Sequence, residues 1–331
     1  MQFPGFYGND GLKLRLSHAL SGGGFSHFYL LVGPEGSGKK TLARCLAAAM
    51  ECTGSGDKPC GICPNCHKIL DASHPDVITV DSDKATVPIS VIRDMQTDAY
   101  IRPNEGKKKI YLIPRGQDMQ APAQNALLKL LEEPPEYCVF LLMTDNAEKI
   151  LSTVRSRATQ LTLFPLSDDL LRSRLTALHP DKNAGEISSA IEKCGGYLGA
   201  AIQLLNEGET QADQQAAAIS AAFASGDELE LLNALAPLEK WSRPDFLQLL
   251  ERLQLIFTRA LAKKSGSNQA FSKVVTDLAA KCSRQKLYQA AEALTHGVSL
   301  LQANGSGSLR GLFTRDHAVL IILFEQNGVT K

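Results

Sequence analysis

The chain has 331 residues, enough for two or three domains with cores of their own. Lys plus Arg and Asp plus Glu both number 35, so the formal charge is zero, which argues against a free-standing nucleic-acid binder and makes any DNA contact local or shared. No apolar run approaches the roughly 18–20 residues of a membrane span, and Met1-Gln2-Phe3-Pro4 lacks a charged-then-apolar export pattern; with eight cysteines, a reducing cytoplasm is expected.

Tyr7 to Asp10 form a polar entry into an amphipathic helix carrying Leu12, Leu16, Ala19 and Leu20 on one face, which Gly22-Gly23-Gly24 stops. An apolar strand, Phe28 to Val32, then leads into Gly33-Pro34-Glu35-Gly36-Ser37-Gly38-Lys39-Lys40-Thr41 and an Ala/Leu-rich helix, Leu42 to Met50. Strand, glycine-rich turn and helix give the G-x-x-x-x-G-K pattern its phosphate-binding meaning: backbone N–H groups and the positive helix end cradle polyphosphate, and Lys39 reaches the terminal phosphates. Lys40 occupies the place of the hydroxyl that would hold Mg²⁺. Thr41 comes one residue late, a rotation of about 100° on a helix, and does not replace it.

Cys52, Cys60, Cys63 and Cys66 follow, the last three at i+3 spacing with Gly61 and Pro64 between them. Four thiolates suit a closed tetrahedral Zn²⁺ site, which is structural because no position is left for water. His67 and His74 are the alternative donors nearby. Cys45, Cys138, Cys194 and Cys282 read as packing residues.

A short strand at Val77 to Val80 and a helix from Pro88 to Tyr100 come next. Lys107-Lys108-Lys109 reads as a solvated loop before Ile110 to Ile113, a buried parallel strand. In a hydrolysing phosphate-loop protein such a strand ends in an acidic pair, but here it ends in Pro114-Arg115, and nothing places Asp118 at a metal. A helix at Pro122–Glu133 stops at Pro134-Pro135. A strand from Val139 to Met143, a helix from Ile150 to Arg157 and a strand from Gln160 to Phe164 complete an α/β pattern with a parallel sheet. Three short helices follow (168–178, 185–194, 197–206). A polar linker at 207–210 then leads to an all-helical remainder, clearest at Pro244–Lys264.

Ser26-His27-Phe28-Tyr29-Leu30, the cysteine cluster, the run from Asn125 to Pro135 (Asn-Ala-Leu-Leu-Lys-Leu-Leu-Glu-Glu-Pro-Pro) and Ser156-Arg157 occur in that order. Together they resemble the bacterial DNA polymerase III clamp loader subunits, most closely the delta-prime type, strongly over 1–165 and more weakly beyond. The resemblance implies an α/β RecA-like AAA+ domain at 1–165 with a zinc module at about 52–66. It further implies a helical lid at 166–206 and an all-α collar for oligomerisation at 207–331.

It also implies a five-membered ring with gamma/tau ATPase and delta partners that places a sliding clamp on primer–template DNA, with no membrane role. In this family one subunit supplies the phosphate loop and the next an arginine from a Ser-Arg-Cys motif. Here that motif reads Ser156-Arg157-Ala158, making Arg157 the expected finger in trans; without the resemblance it would read as a helix-capping surface arginine. Gly33, Gly36, Ser37, Gly38, Lys39, Lys40, Thr41 and the sensor-position Thr144 are the expected nucleotide site. Family ATPases carry an Asp-Glu pair where Pro114-Arg115 stand, and a lid arginine where Gly199 stands. No intrinsic ATP hydrolysis is therefore expected, while ATP or ADP binding stays open and Mg²⁺ is unassigned. An ATP-hydrolysing gamma/tau-like subunit is the alternative.

Overall fold

A computed structural model describes residues 1–21, 24–84, 86–208, 210–266 and 271–303. Gly22 and Gly23 of the expected helix stop, Glu209 of the linker and residues 304–331 of the expected collar lie outside them. Contacts divide the chain into two compact units. The first comprises Met1–Leu171 with Tyr197–Ala200, and the second Arg172–Gly196 with the described residues from Ala201 onward.

The first unit follows the expected order closely. Its elements are α1 (Asp10–Ser21), β1 (Phe28–Val32), α2 (Lys39–Glu51), α3 (Pro64–Leu70), β2 (Val77–Thr79), α4 (Ile89–Ala99) and β3 (Lys109–Ile113). They continue with α5 (Ala121–Glu132), β4 (Cys138–Thr144), α6 (Ser152–Arg155) and β5 (Thr159–Thr162). All strand pairings are parallel, and the sheet order β2-β3-β4-β1-β5 is that of a RecA-like AAA+ domain. Both faces are covered, which is why β1, β3 and β4 read as continuous apolar runs. Tyr29, Leu31, Leu112, Leu141 and Met143 pack with Leu42 and Leu46 of α2 on one face. Phe28, Leu30, Tyr111, Phe140 and Leu142 pack with Ile92, Leu127 and Leu130 of α4 and α5 on the other. There Tyr111 and Phe140 stack at 5.4 Å between ring centroids.

Two readings need correction. The lysine triplet is a solvated loop only in part: Lys107 is exposed and Lys108 half-buried in a bend, but Lys109 is not. Lys109 opens β3 with only 4% of its surface exposed, its ammonium 2.9 Å from an Asp98 oxygen and bonded to the Asp98 and Ile101 carbonyls. The backbone N–H groups of Lys107 and Lys108 donate to the buried Glu51 carboxylate at 2.9 and 2.6 Å. Asp76 likewise accepts from the N–H groups of Asn104, Glu105 and Gly106. Two inward carboxylates thus hold a turn that composition marks as polar. The helix expected at 150–157 is also only the four residues of α6, because Ile150 and Leu151 are extended rather than helical.

Next in the chain come α7 (Asp168–Leu178), α8 (Ala184–Lys193), which belongs to the second unit, and α9 (Leu198–Glu207). The second unit continues with α10 (Gln211–Ser225), α11 (Glu228–Leu235), α12 (Arg243–Lys264), α13 (Lys273–Lys281) and α14 (Arg284–Ala303). The stripe expected on α12 is its core face: Phe246, Leu249, Leu250, Leu253 and Phe257 are buried, with Phe257 edge-on to Phe223 of α10 at 5.0 Å. Arg259 of α12 donates to the Ile191 carbonyl at 2.9 Å, and Arg252 donates to the Lys193 carbonyl while lying 3.2 Å from the Asp213 carboxylate. Cations on the last carbonyls of α8 suit the negative end of that helix. No helix among the described residues is long and apolar enough to cross a membrane.

Candidate functional site

The phosphate loop lies at the carboxyl end of β1. Its conformation needs glycine at two points, Gly36 at φ 74° and Gly38 at φ 94°, a region that side-chain-bearing residues rarely adopt. Helix α2 begins without a side-chain cap and with no acidic residue in its first turn, so its own first turn does not neutralise its positive end. That arrangement fits a phosphate group. Gly33 N–H donates to the Thr144 carbonyl at 3.1 Å, bringing the loop beside the end of β4, and Ser37 Oγ is buried with no partner among the described residues.

Lys39 is folded back. Its ammonium donates to the Gly33 and Pro34 carbonyls, the second at 2.9 Å. Burial holds its pKa below the usual lysine value, although the charges of Asp145 and Glu35 pull the other way. The metal arm does not fit. Lys40 is exposed, and a methyl group built on Gly5 would come 3.5 Å from Thr41 Cγ2, so the Thr41 side chain packs toward the N-terminal segment. The Thr144 hydroxyl donates to the Asn146 carbonyl at 2.9 Å and accepts from Asn146 N–H at 3.2 Å.

At the end of β3, Arg115 turns to the segment at 81–84. Nε donates to Asp81 at 2.7 Å, and the fork reaches the carbonyls of Ser82 and Lys84. Asp118 lies 3.8 Å from the Arg115 Nη1. Burial lifts its carboxyl above the ordinary range; the Arg115 charge offsets this only partly, and that of Asp145 adds to it. No acidic pair stands where β3 ends.

A contact not legible in the sequence covers the loop. Gly199 N–H donates to the Gly36 carbonyl at 2.9 Å. A Cβ on Gly36 would stand 2.3 Å from Ala200 N, and one on Gly199 would stand 2.8 Å from Gly36 Cα. Position 199, where the resemblance leads one to look for a lid arginine, therefore has no room for a side chain.

Arg157 joins none of these groups. Nη1 donates to the Thr153 carbonyl at 2.7 Å, the helix-capping bond that a surface arginine makes, and Nη2 pairs with the Glu132 carboxylate. Glu132 was not foreseen.

The four cysteines do come together. Their sulfurs lie within 4.8 Å of one another, with Cys60 and Cys66 at 4.0 Å; a tetrahedral site with Zn–S of about 2.3 Å has sulfur–sulfur edges of about 3.8 Å. Cys63 caps α3 by accepting from Cys66 N–H, and Cys52 and Cys60 accept from the N–H groups of Cys60 and Cys63. Burial opposes ionisation of Cys63, but N–H donors from Cys66 and Thr53 outweigh it and lower its pKa to about 5. Burial pushes Cys66 up to about 12. A cluster so placed holds its full negative charge only around a cation, so the donor set fits Zn²⁺. When bound, the metal would cross-link 52–66 as a structural staple. His74 is not in the cluster: its Nδ1 accepts from Asp76 N–H at 3.1 Å. The other four cysteines are buried, as expected, and burial raises Cys45 to about 12.

A parallel sheet of this order with a glycine-rich loop of the G-x-x-x-x-G-K pattern after β1 defines a domain of the P-loop class. Residues 8–167 match the family model described as DNA polymerase III, delta subunit. The tau subunit of Escherichia coli K12 is 32% identical over 238 residues, covering 70% of this chain and 37% of that protein. The delta' subunit of Bacillus subtilis 168 is 35% identical over 150 residues, covering 45% of this chain and 46% of that protein. The chain thus spans less than half the length of either relative. A DNA polymerase III gamma subunit-related structure from Thermotoga maritima aligns over 96% of this chain and 99% of that chain at 18% identity, with a TM-score of 0.43. Through its first half the chain belongs to the bacterial DNA polymerase III clamp loader family.

Proposed function

We propose that this chain is a non-hydrolysing, delta-prime-like clamp loader subunit that helps place a sliding clamp on primed DNA and lends Arg157 to a neighbour's ATP site. The observation that carries the reading is the end of β3, where Pro114 offers no oxygen and the Arg115 guanidinium is spent on Asp81, Ser82 and Lys84. Without carboxylates to place a metal and polarise water, phosphoryl transfer loses most of its electrostatic assistance. The covered loop, with Gly199 on Gly36, points the same way. In this reading Arg157 serves the neighbour by neutralising charge on the transferring phosphoryl group. The lid at 166–206, the collar from 207, the zinc staple at 52–66 and the ring of five belong to the same proposal.

The test reconstitutes the loader with ATPase partner subunits, clamp and primed DNA. Arg157→Ala is expected to lower stimulated ATP turnover by about 10²-fold or more; unchanged turnover refutes the finger role. The gamma/tau-like alternative has its own support in the intact Gly33–Lys39 loop and the 32% identity to a tau subunit. It predicts that the purified chain hydrolyses ATP and that Lys39→Ala abolishes this; the proposed role predicts no turnover to abolish.

A further inference from the structure

We infer that Glu132 is the positioning residue for Arg157, holding its guanidinium ready for a phosphate that the chain itself does not bind. The inference rests on the proposed role of Arg157 in trans. Glu132 is the last residue of α5, and Arg157 lies two residues beyond α6. A carboxylate in that place is unfavourable on local grounds, because the last turn of a helix already presents unpaired carbonyls and the negative end of the dipole. Here it is set against Arg157 Nη2, while the Thr153 carbonyl takes Nη1 from the other end of the fork at 2.7 Å. An arginine has four side-chain torsions, and two acceptors on different helices restrain its planar head more than one would.

The pair consumes two of the five N–H groups. The other three have no partner among the described residues, and the Arg157 side chain keeps 35% of its surface exposed. The guanidinium is thus oriented without being used up. Because Pro134-Pro135 end α5 directly after Glu133, the position of Glu132 is fixed by the chain and not by a frayed helix end. Arg155, two residues earlier and outside the motif, is drawn instead to Glu148 at 2.8 Å, so the two neighbouring arginines are held by separate carboxylates. Of these two ion pairs, the one at Arg157 reaches α5.

The experiment uses the reconstituted loader with partner ATPases, clamp and primed DNA, and compares Glu132→Ala, Glu132→Gln, Arg157→Ala and the double variant Glu132→Ala/Arg157→Ala. Glu132→Ala is expected to lower kcat for stimulated ATP hydrolysis on the order of tenfold with KM for ATP unchanged, because a misplaced finger weakens the transition state and not nucleotide binding. Glu132→Gln, which keeps an acceptor oxygen, restores most of that loss. The double variant is no slower than Arg157→Ala alone, because Glu132 acts only through the arginine. Melting temperature and ring assembly, measured on each, separate a folding defect from a positioning one. If Arg157→Ala slows the assembly and Glu132→Ala leaves kcat within twofold, or if the two losses add, positioning by Glu132 is overturned while the finger stands. If Arg157→Ala has no effect, both are overturned.

Discussion

Replacing Gly199 by alanine asks whether the covered phosphate loop is closed for a reason. Gly199 is helical, so alanine carries no backbone strain there and in an open setting would favour the helix by about 1 kcal/mol. Its Cβ, however, would stand 2.8 Å from both Cα and the carbonyl oxygen of Gly36, backbone atoms that cannot rotate aside. Relief requires the two segments to part, at an overpacking cost of about 1–3 kcal/mol. The Gly199 N–H bond to the Gly36 carbonyl, worth about 0.5–1.5 kcal/mol net, is lost as well. Together these, about 1.5–4.5 kcal/mol, move the balance between closed and open loop by roughly 10- to 2,000-fold. If closure withholds the loop from nucleotide, the apparent Kd falls by up to that factor, limited by the intrinsic affinity of the open loop. Calorimetric titration of Gly199→Ala and the unmodified chain with ADP and with ATP, with and without Mg²⁺, measures it. Because the metal arm does not fit, the gain should be similar with and without Mg²⁺. A lower melting temperature with no gain in affinity refutes the reasoning: the contact would then have opened without gating the site.

Two further expectations follow from buried charges. Tag-free protein should contain about one zinc per chain, and Cys66→Ser should release it, lower the melting temperature and expose 52–70 to trypsin; well under one zinc per chain sinks the metal assignment. At Asp76, burial opposes ionisation, but the N–H groups of Asn104, Gly106 and Glu105 outweigh it and hold the carboxyl below its ordinary value. A folded pKa below the unfolded one gives stability that is complete above about pH 4 and lost as pH falls through the folded value. Asp76→Asn should therefore cost about 2–4 kcal/mol in urea denaturation at pH 7 and progressively less below pH 4; an equal cost at both pH values refutes the charge-based account.

Periodicity placed nearly every element because the forces involved are local or nearly so. Continuous apolar runs mark strands buried on both faces, and Pro134-Pro135 ends α5 whatever it packs against. The same logic fails at Ile150–Leu151, where apolar residues sit on extended backbone. It fails again at Lys109, whose ammonium is drawn inward by Asp98, a partner eleven residues away in sequence. Helix α3 was hidden because its cap is a thiol, Cys63, and not one of the usual oxygen-bearing residues.

For the candidate site, the chain order alone determined the glycine turn, the four clustered cysteines and the Pro114-Arg115 end of β3, since each depends on residue type at fixed spacing. What only the tertiary structure decided is how those parts are engaged. Gly199 lies on Gly36 across 163 residues of chain and Glu132 meets Arg157 across 25, pairings set by how segments pack and not by any local propensity. The sequence could report only that glycine stands at 199, where the resemblance leads one to look for an arginine. The fold gives the physical reason, a backbone-to-backbone approach that leaves no room for a side chain.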